Sequence, residues 1–165
     1  MRERHETEGD RQNEQIICSF WLNAWRKKRG HSRTFQKLPE KSYKLDYAVL
    51  DDQGQIVCWL EIKNRPTGIP YDLTSLRNTL LLSVLKWNSL AEYRRSTGRP
   101  AVLLVRFSDG TVGTYTWKRA DAKPFRIEWG GRTKATRDAG DIEPVIHIPL
   151  TAFEVWGTLS EEDLA

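Results

Sequence analysis

Sulfur and imidazole are scarce in this chain. Its 165 residues include two cysteines, one methionine and three histidines. Cys18 and Cys58 fall inside apolar patterns with no Cys-x-x-Cys spacing, so they read as buried free thiols rather than as a disulfide or metal pair. His5, His31 and His147 are scattered, with no two at ligand spacing, which argues against zinc. Long hydrophobic runs are also missing. The longest, Leu80 to Leu85, is interrupted by Ser83 and is far too short to span a bilayer. The first residues, Met-Arg-Glu-Arg-His-Glu, are too charged for a signal peptide. A cytoplasmic protein with no membrane partner is expected. No internal repeat or linker divides the chain, so one domain over residues 1–165 is expected.

Hydrophobic residues make up 39% and charged residues 29%, which suits a soluble domain with a real core. The net charge of +4, with a pI near 9.1, is compatible with a polyanionic partner. Two basic clusters, Lys27-Lys28-Arg29 and Arg94-Arg95, could contact such a partner or simply complement the C-terminal turns of helices.

The stretch from Leu45 to Arg65 carries the most information. Two β-branched and aromatic runs flank the polar turn Asp51-Asp52-Gln53-Gly54-Gln55, the pattern of an antiparallel hairpin. Side chains alternate faces along a strand. Ile56, Cys58, Leu60 and Ile62 therefore share one face of the second strand, while Val57, Trp59, Glu61 and Lys63 share the other. Asp46 opens the first strand, and the turn folds it back beside the far end of the second. Two carboxylates and an ammonium thus meet at one end of a hairpin whose other face is apolar. Carboxylate oxygens on adjacent strands make a hard site suited to Mg²⁺ or Mn²⁺, and the Ile62 carbonyl can add a ligand. An ammonium beside such an ion can orient water and offset charge on a phosphate. The alternative for Glu61 and Lys63 is a solvated strand face with a surface ion pair. Asp121-Ala122-Lys123 repeats the acid-x-Lys spacing, but in a polar stretch before Pro124 rather than on a patterned strand.

An Asp followed by Glu-x-Lys on the next strand resembles the PD-(D/E)XK nuclease superfamily. Asp46, Glu61 and Lys63 match its Asp, Glu and Lys. Leu45 stands where a Pro often precedes the Asp, a loosely kept position. The order of helix, hairpin, helix and apolar strand over residues 10–107 is also similar. The resemblance implies an α/β fold with a restriction-endonuclease-like core. A mixed central sheet is flanked by two main helices, and a β-rich extension follows over about residues 108–158. It further implies Mg²⁺- or Mn²⁺-dependent cleavage of nucleic acid, DNA favoured, by a phage or mobile-element protein working in the host cytoplasm. Two copies would suit the cutting of both strands of a duplex, so a homodimer is compatible with this activity.

Around the hairpin, Ile17, Cys18, Trp21, Leu22 and Trp25 recur at helical spacing, and Gly30 follows a basic turn, predicting a helix from about Asp10 to Arg29. Glu14 lies at the head of that stripe, either at its rim or wanted inside. In the resembled family a first-helix Glu often joins the metal site, which places that role on Glu14. Thr34 to Leu38 is a candidate first strand. After Lys63, the Pro66–Pro70 stretch forbids regular structure, and Arg65 and Tyr71 are either nucleic-acid contacts or ordinary loop residues. Leu73, Leu76, Leu80, Val84, Trp87 and Ala91 form a stripe, widened by Leu81 and Leu85, that predicts one helix from Leu73 to Ser96, capped by Asp72 or Thr74 and ended by Gly98. On it, Lys86 is a candidate nucleic-acid or site-supporting residue by the resemblance, or a solvated lysine whose stem covers apolar surface. Ala101 to Phe107 reads as a central strand parallel to the second hairpin strand.

Asp109-Gly110 predicts a further hairpin. Phe125–Trp129 and Val145–Leu150 look like strands, joined by a charged loop from which Arg132, Lys134 and Arg137 could reach a nucleic-acid backbone. Phe153, Val155 and Trp156 suggest a segment packed back on the sheet, followed by a loose acidic tail from Ser160; residues 1–7 are also expected to be loose. Trp117, Trp129 and Trp156 read as core, with base stacking as the alternative. Trp59, on the face of Glu61, would lie beside the site or under the helix of Glu14. Two functional classes follow: a metal-dependent nuclease, or a non-catalytic nucleic-acid-binding or assembly protein with the same architecture.

Overall fold

A computed structural model describes residues 7–75, 78–117, 125–131 and 142–164. The terminal residues 1–6, and Asp121, Lys123, Arg132, Lys134 and Arg137, lie outside the described residues.

The first helix, α1, spans Glu8–Arg29 and starts slightly earlier than its apolar stripe. The reason is a capping box: the Thr7 hydroxyl accepts from the Asp10 amide while the Asp10 carboxylate accepts from the Thr7 amide. Two of its four last-turn cations are occupied within the fold. Lys28 and Arg29 pair with Glu154 at 2.9 and 3.4 Å, and they lie over the rings of Trp156 and Trp25.

Six strands form the main sheet in the order β1-β2-β3-β5-β6-β9. These are β1 (Thr34–Lys37), β2 (Tyr47–Leu50), β3 (Ile56–Asn64), β5 (Ala101–Arg106), β6 (Thr111–Trp117) and β9 (Glu154–Thr158). The predicted hairpin is present as the antiparallel β2–β3 ladder, and β3 runs parallel to β5 as expected. Every residue of β5 is buried, as befits a strand covered on both faces. Gly110 turns the β5–β6 hairpin at φ 88°. A side chain there would also strike the Leu159 carbonyl, since a Cβ would come within 2.8 Å of it.

The two helices cover opposite faces. Ile17, Cys18, Trp21 and Leu22 of α1 pack on Tyr47, Cys58, Leu60 and Ile62. Both cysteines are free and buried there. Burial pushes the Cys58 thiol up to about 12 and that of Cys18 up as well. On the other face, Trp87 and Leu90 of α2 (Val84–Thr97) pack on Ala48, Trp59, Leu103 and Val105.

One expected helix is in fact two elements. Thr79–Ser83 is a strand, β4, and α2 begins only at Val84. Leu80 and Leu82 are buried while Leu81 between them is exposed, the period of a strand. In a run of leucines both periods fit, and antiparallel pairing with Val145–Pro149 decides between them. Ser83, rather than Asp72 or Thr74, caps the helix, accepting from the Leu85 amide at 3.2 Å. Asp72 instead accepts from the amide and hydroxyl of Thr74. Leu85 is 73% exposed, so it does not widen a buried stripe.

A second sheet, β4-β8-β7, contains β7 (Ile127–Gly131) and β8 (Ile142–Pro149). Its Leu80, Leu82, Ile146 and Ile148 join the α2-side core. The C-terminal strands are therefore shared: β6 and β9 complete the main sheet, and β7 and β8 recruit β4. Nor is the acidic end loose. A 3-10 turn at Glu161–Asp163 is capped by Ser160, and the buried Arg106 guanidinium donates to the Leu159 carbonyl at 2.8 Å and lies 3.8 Å from Glu161. No helix among the described residues is long and apolar enough to cross a membrane.

Candidate active site

The site lies at the carboxyl half of β3, beside a strand parallel to it, where open α/β sheets commonly hold ligands. The β2–β3 ladder ends at Tyr47↔Leu60. One step further, Asp46 donates its amide to the Leu60 carbonyl at 3.1 Å, and its Oδ2 accepts from the Ile62 amide at 2.9 Å. The carboxylate thus takes the place of the strand that β2 no longer supplies. Alternation puts Asp46 and Glu61 on the α2 face together, and both are buried, with 3% and 0% of their surface exposed.

The Ile62 carbonyl falls on the same edge. Trp59 and Arg65 donate toward β5, to the carbonyls of Pro100 and Arg106. Backbone groups alternate sides along a strand. The amide and carbonyl of Ile62 therefore point away from β5, toward Asp46.

Two ammonium groups close over Glu61. Lys63 Nζ lies 3.7 Å and Lys86 Nζ 3.0 Å from its Oε1. Lys86 also donates to the Lys44 carbonyl at 2.6 Å, so it ties the first turn of α2 to the segment that enters β2. The expectation of a solvated Lys86 is corrected: its side chain is 23% exposed and engaged at the site. With the helix start known, a signal was available. A cation in the first turn opposes the helix dipole and calls for an acidic partner. The mistaken start at Leu73 hid it.

Glu14 reaches the sheet from the other helix. It belongs to α1, which covers the other face, and its Oε2 lies 3.7 Å from Lys37 Nζ. Lys37 in turn stands over the Tyr47 ring. Among the described residues no three His, Cys, Asp or Glu side chains gather to hold a metal. Trp59 packs on neither Glu14 nor its helix. Its indole donates to Thr97 of α2 at 2.8 Å and its ring meets Tyr93 edge-on.

Of the flanking candidates, Arg65 is half-buried, and burial lowers the pKa of its guanidinium. Tyr71 meets Phe107 edge-on and is half-buried. Trp117 and Trp156 are packed within the fold as expected, but Trp129 is 75% exposed.

A family model described as "Phage putative PDDEXK endonuclease" matches residues 1–156. The chain belongs to this family. The match runs beyond β6 through β7, β8 and most of β9, so nearly all of the two-sheet architecture falls within it. No curated protein and no solved structure matches the chain.

Proposed function

We propose that the chain is a divalent-metal-dependent nuclease that hydrolyses phosphodiester bonds, with DNA the favoured substrate. The observation that carries this is the pairing of two buried carboxylates, Asp46 and Glu61, beside a backbone carbonyl turned to the same edge and an ammonium on the same face. Membership in a family described as endonucleases supports the same reading.

The donors fit Mg²⁺ or Mn²⁺. Mg²⁺ keeps several waters and commonly takes only one or two protein carboxylates, so a third acidic side chain is not required. Asp46, Glu61 and the Ile62 carbonyl would hold the ion. When bound, it lowers the pKa of water and polarises a phosphate oxygen. Lys63 orients the attacking water and offsets charge that develops on the phosphate. Glu14 acts at most through water, from the α1 side. Arg65, Tyr71 and Lys86, together with Arg132 and Lys134, are the proposed contacts to the nucleic-acid strand. A homodimer would serve a duplex cut on both strands.

Incubation of the protein with plasmid and with single-stranded DNA, plus Mg²⁺ or Mn²⁺, tests the reading. Cleavage should require the cation, stop with EDTA and vanish in Glu61→Gln and Asp46→Asn, while Glu14→Gln retains activity within about tenfold. Equal activity of wild type and Glu61→Gln would refute the assignment. Binding without cleavage, across substrates and metals, would favour the non-catalytic class.

Lys86 carries a separate expectation. Its ammonium and a metal ion compete for Glu61, so Lys86→Met, which keeps the stem, leaves a buried carboxylate in need of a cation. Calorimetric titration should show Mn²⁺ binding about tenfold tighter than in wild type, the scale of a close charge pair. Unchanged or weaker binding would show that Lys86 instead helps to form the metal site.

A further inference from the structure

The pairing of the active strand continues one residue past Asn64. The Arg65 amide still donates to the Arg106 carbonyl at 2.9 Å, so the alternation of β3 carries on through it. Glu61, Lys63 and Arg65 therefore lie on one face, in that order. Asn64 between them turns to the other face, where its Oδ1 accepts from Arg106 Nη1 at 3.3 Å. The loop that follows is pinned to the end of β5. The Ile69 carbonyl accepts from the Ser108 amide at 3.3 Å, and the Tyr71 ring meets Phe107 edge-on. Arg65 is thus held at its own amide and by the loop beyond it.

Two arginines meet at this level of the sheet, and they differ in what they touch. Arg106 is deeply buried and well supplied: it donates to the Leu159 carbonyl and to Asn64, with Glu161 3.8 Å away. Arg65 is half-buried, and among the described residues neither a hydrogen-bond acceptor nor a carboxylate meets its guanidinium. Burial lowers its pKa, with no nearby carboxylate to offset the loss. A cation drawn partly out of water without a counter-charge costs stability. Phosphate is an anion whose oxygens match the guanidinium fork. Position points to one phosphate in particular. Two residues of strand advance about 6.6 Å, close to the step between neighbouring phosphates of a nucleic-acid strand.

We propose that Arg65 grips the phosphate next to the one cleaved beside Asp46, Glu61 and Lys63. The proposal rests on the nuclease reading and narrows its substrate. The strand must continue at least one phosphate past the bond that breaks, and an isolated diester is a poor substitute. Arg65 touches the strand away from the reacting atoms, so it is a binding residue rather than a catalytic one.

The first test measures binding without metal. Wild type, Arg65→Gln and Arg65→Lys are titrated by anisotropy in EDTA with fluorescein-labelled oligodeoxythymidylate over a range of NaCl. Arg65→Gln should bind about tenfold more weakly, and its logarithmic salt dependence should be shallower by about 0.7, the value for one phosphate on a single strand. Arg65→Lys keeps the charge and should keep the wild-type slope, while losing part of the affinity with the fork. The Tm of Arg65→Gln should equal or exceed that of wild type, since the variant no longer buries an unpaired charge. An unchanged salt slope in Arg65→Gln would overturn the proposal. So would a fall in its Tm, which would make Arg65 a structural residue. Hydrolysis in Mg²⁺ then tests where the contact falls. A p-nitrophenyl ester of thymidine monophosphate, in its 5′ or its 3′ isomer, should react about tenfold faster in kcat/KM when the other hydroxyl carries a second phosphate, and Arg65→Gln should lose that preference. The same preference in variant and wild type would refute the assigned place. If no ester is hydrolysed in a Glu61-dependent way, the nuclease reading fails, and the metal-free binding result stands or falls by itself.

Discussion

Lys63→Ala is expected to slow phosphodiester cleavage by about a hundred- to a thousandfold at saturating Mg²⁺, the range seen when one preorganised group is removed from a developing charge. The side chain shares the face of Glu61, lies 3.7 Å from its Oε1 and remains 21% exposed, so it borders both the proposed metal ligands and the solvent side from which a phosphate would arrive. The proposed role is in the transition state. The loss should therefore fall on kcat, with Mn²⁺ affinity in titration close to wild type. A variant that cleaves normally, or one whose defect disappears at higher metal concentration, would show that Lys63 only completes an ion pair.

The largest expected effect on stability comes from Trp87→Ala. Trp87 is 7% exposed and sits where α2 meets both sheets. Its ring meets those of Trp117, Tyr115 and Phe125 at 4.8, 5.8 and 5.9 Å. Truncation leaves a cavity that this aromatic cluster cannot close, at a cost of about 3–5 kcal/mol. For a chain of this size that lowers Tm by roughly 6–20 °C, measurable by calorimetry. Because the first turn of the same helix carries Lys86, the site should lose order early on heating. A fall of only a few degrees would mean that the cluster repacks around the gap.

The hairpin was legible because its signals agree. Period-two alternation, a turn with Gly54 and the spacing of Asp46, Glu61 and Lys63 all point to the same placement, and the β2–β3 register has it. The parallel β3–β5 pair followed from an apolar run behind a helix. The leucine run failed as a guide because it satisfies two periods at once, and its choice was made by β8, some sixty residues away. That error carried into the site, since it turned a first-turn lysine bound to Glu61 into a mid-helix surface lysine. Glu14 shows a different limit. Its place on the α1 stripe was readable, but which face of the sheet that stripe covers depends on packing that no local pattern encodes. Trp129 fell to the same cause: a tryptophan on an alternating strand reads as core unless the uncovered end of the sheet is known.

The central claim is that Asp46 and Glu61 hold a divalent cation between them. Crystals soaked in Mn²⁺ test it through anomalous scattering. A single strong peak about 2.0–2.3 Å from the Asp46 and Glu61 carboxylates and the Ile62 carbonyl is predicted, with Lys86 Nζ displaced from the 3.0 Å contact it now makes. A peak elsewhere at saturating Mn²⁺, with Lys86 still seated on Glu61, would contradict it.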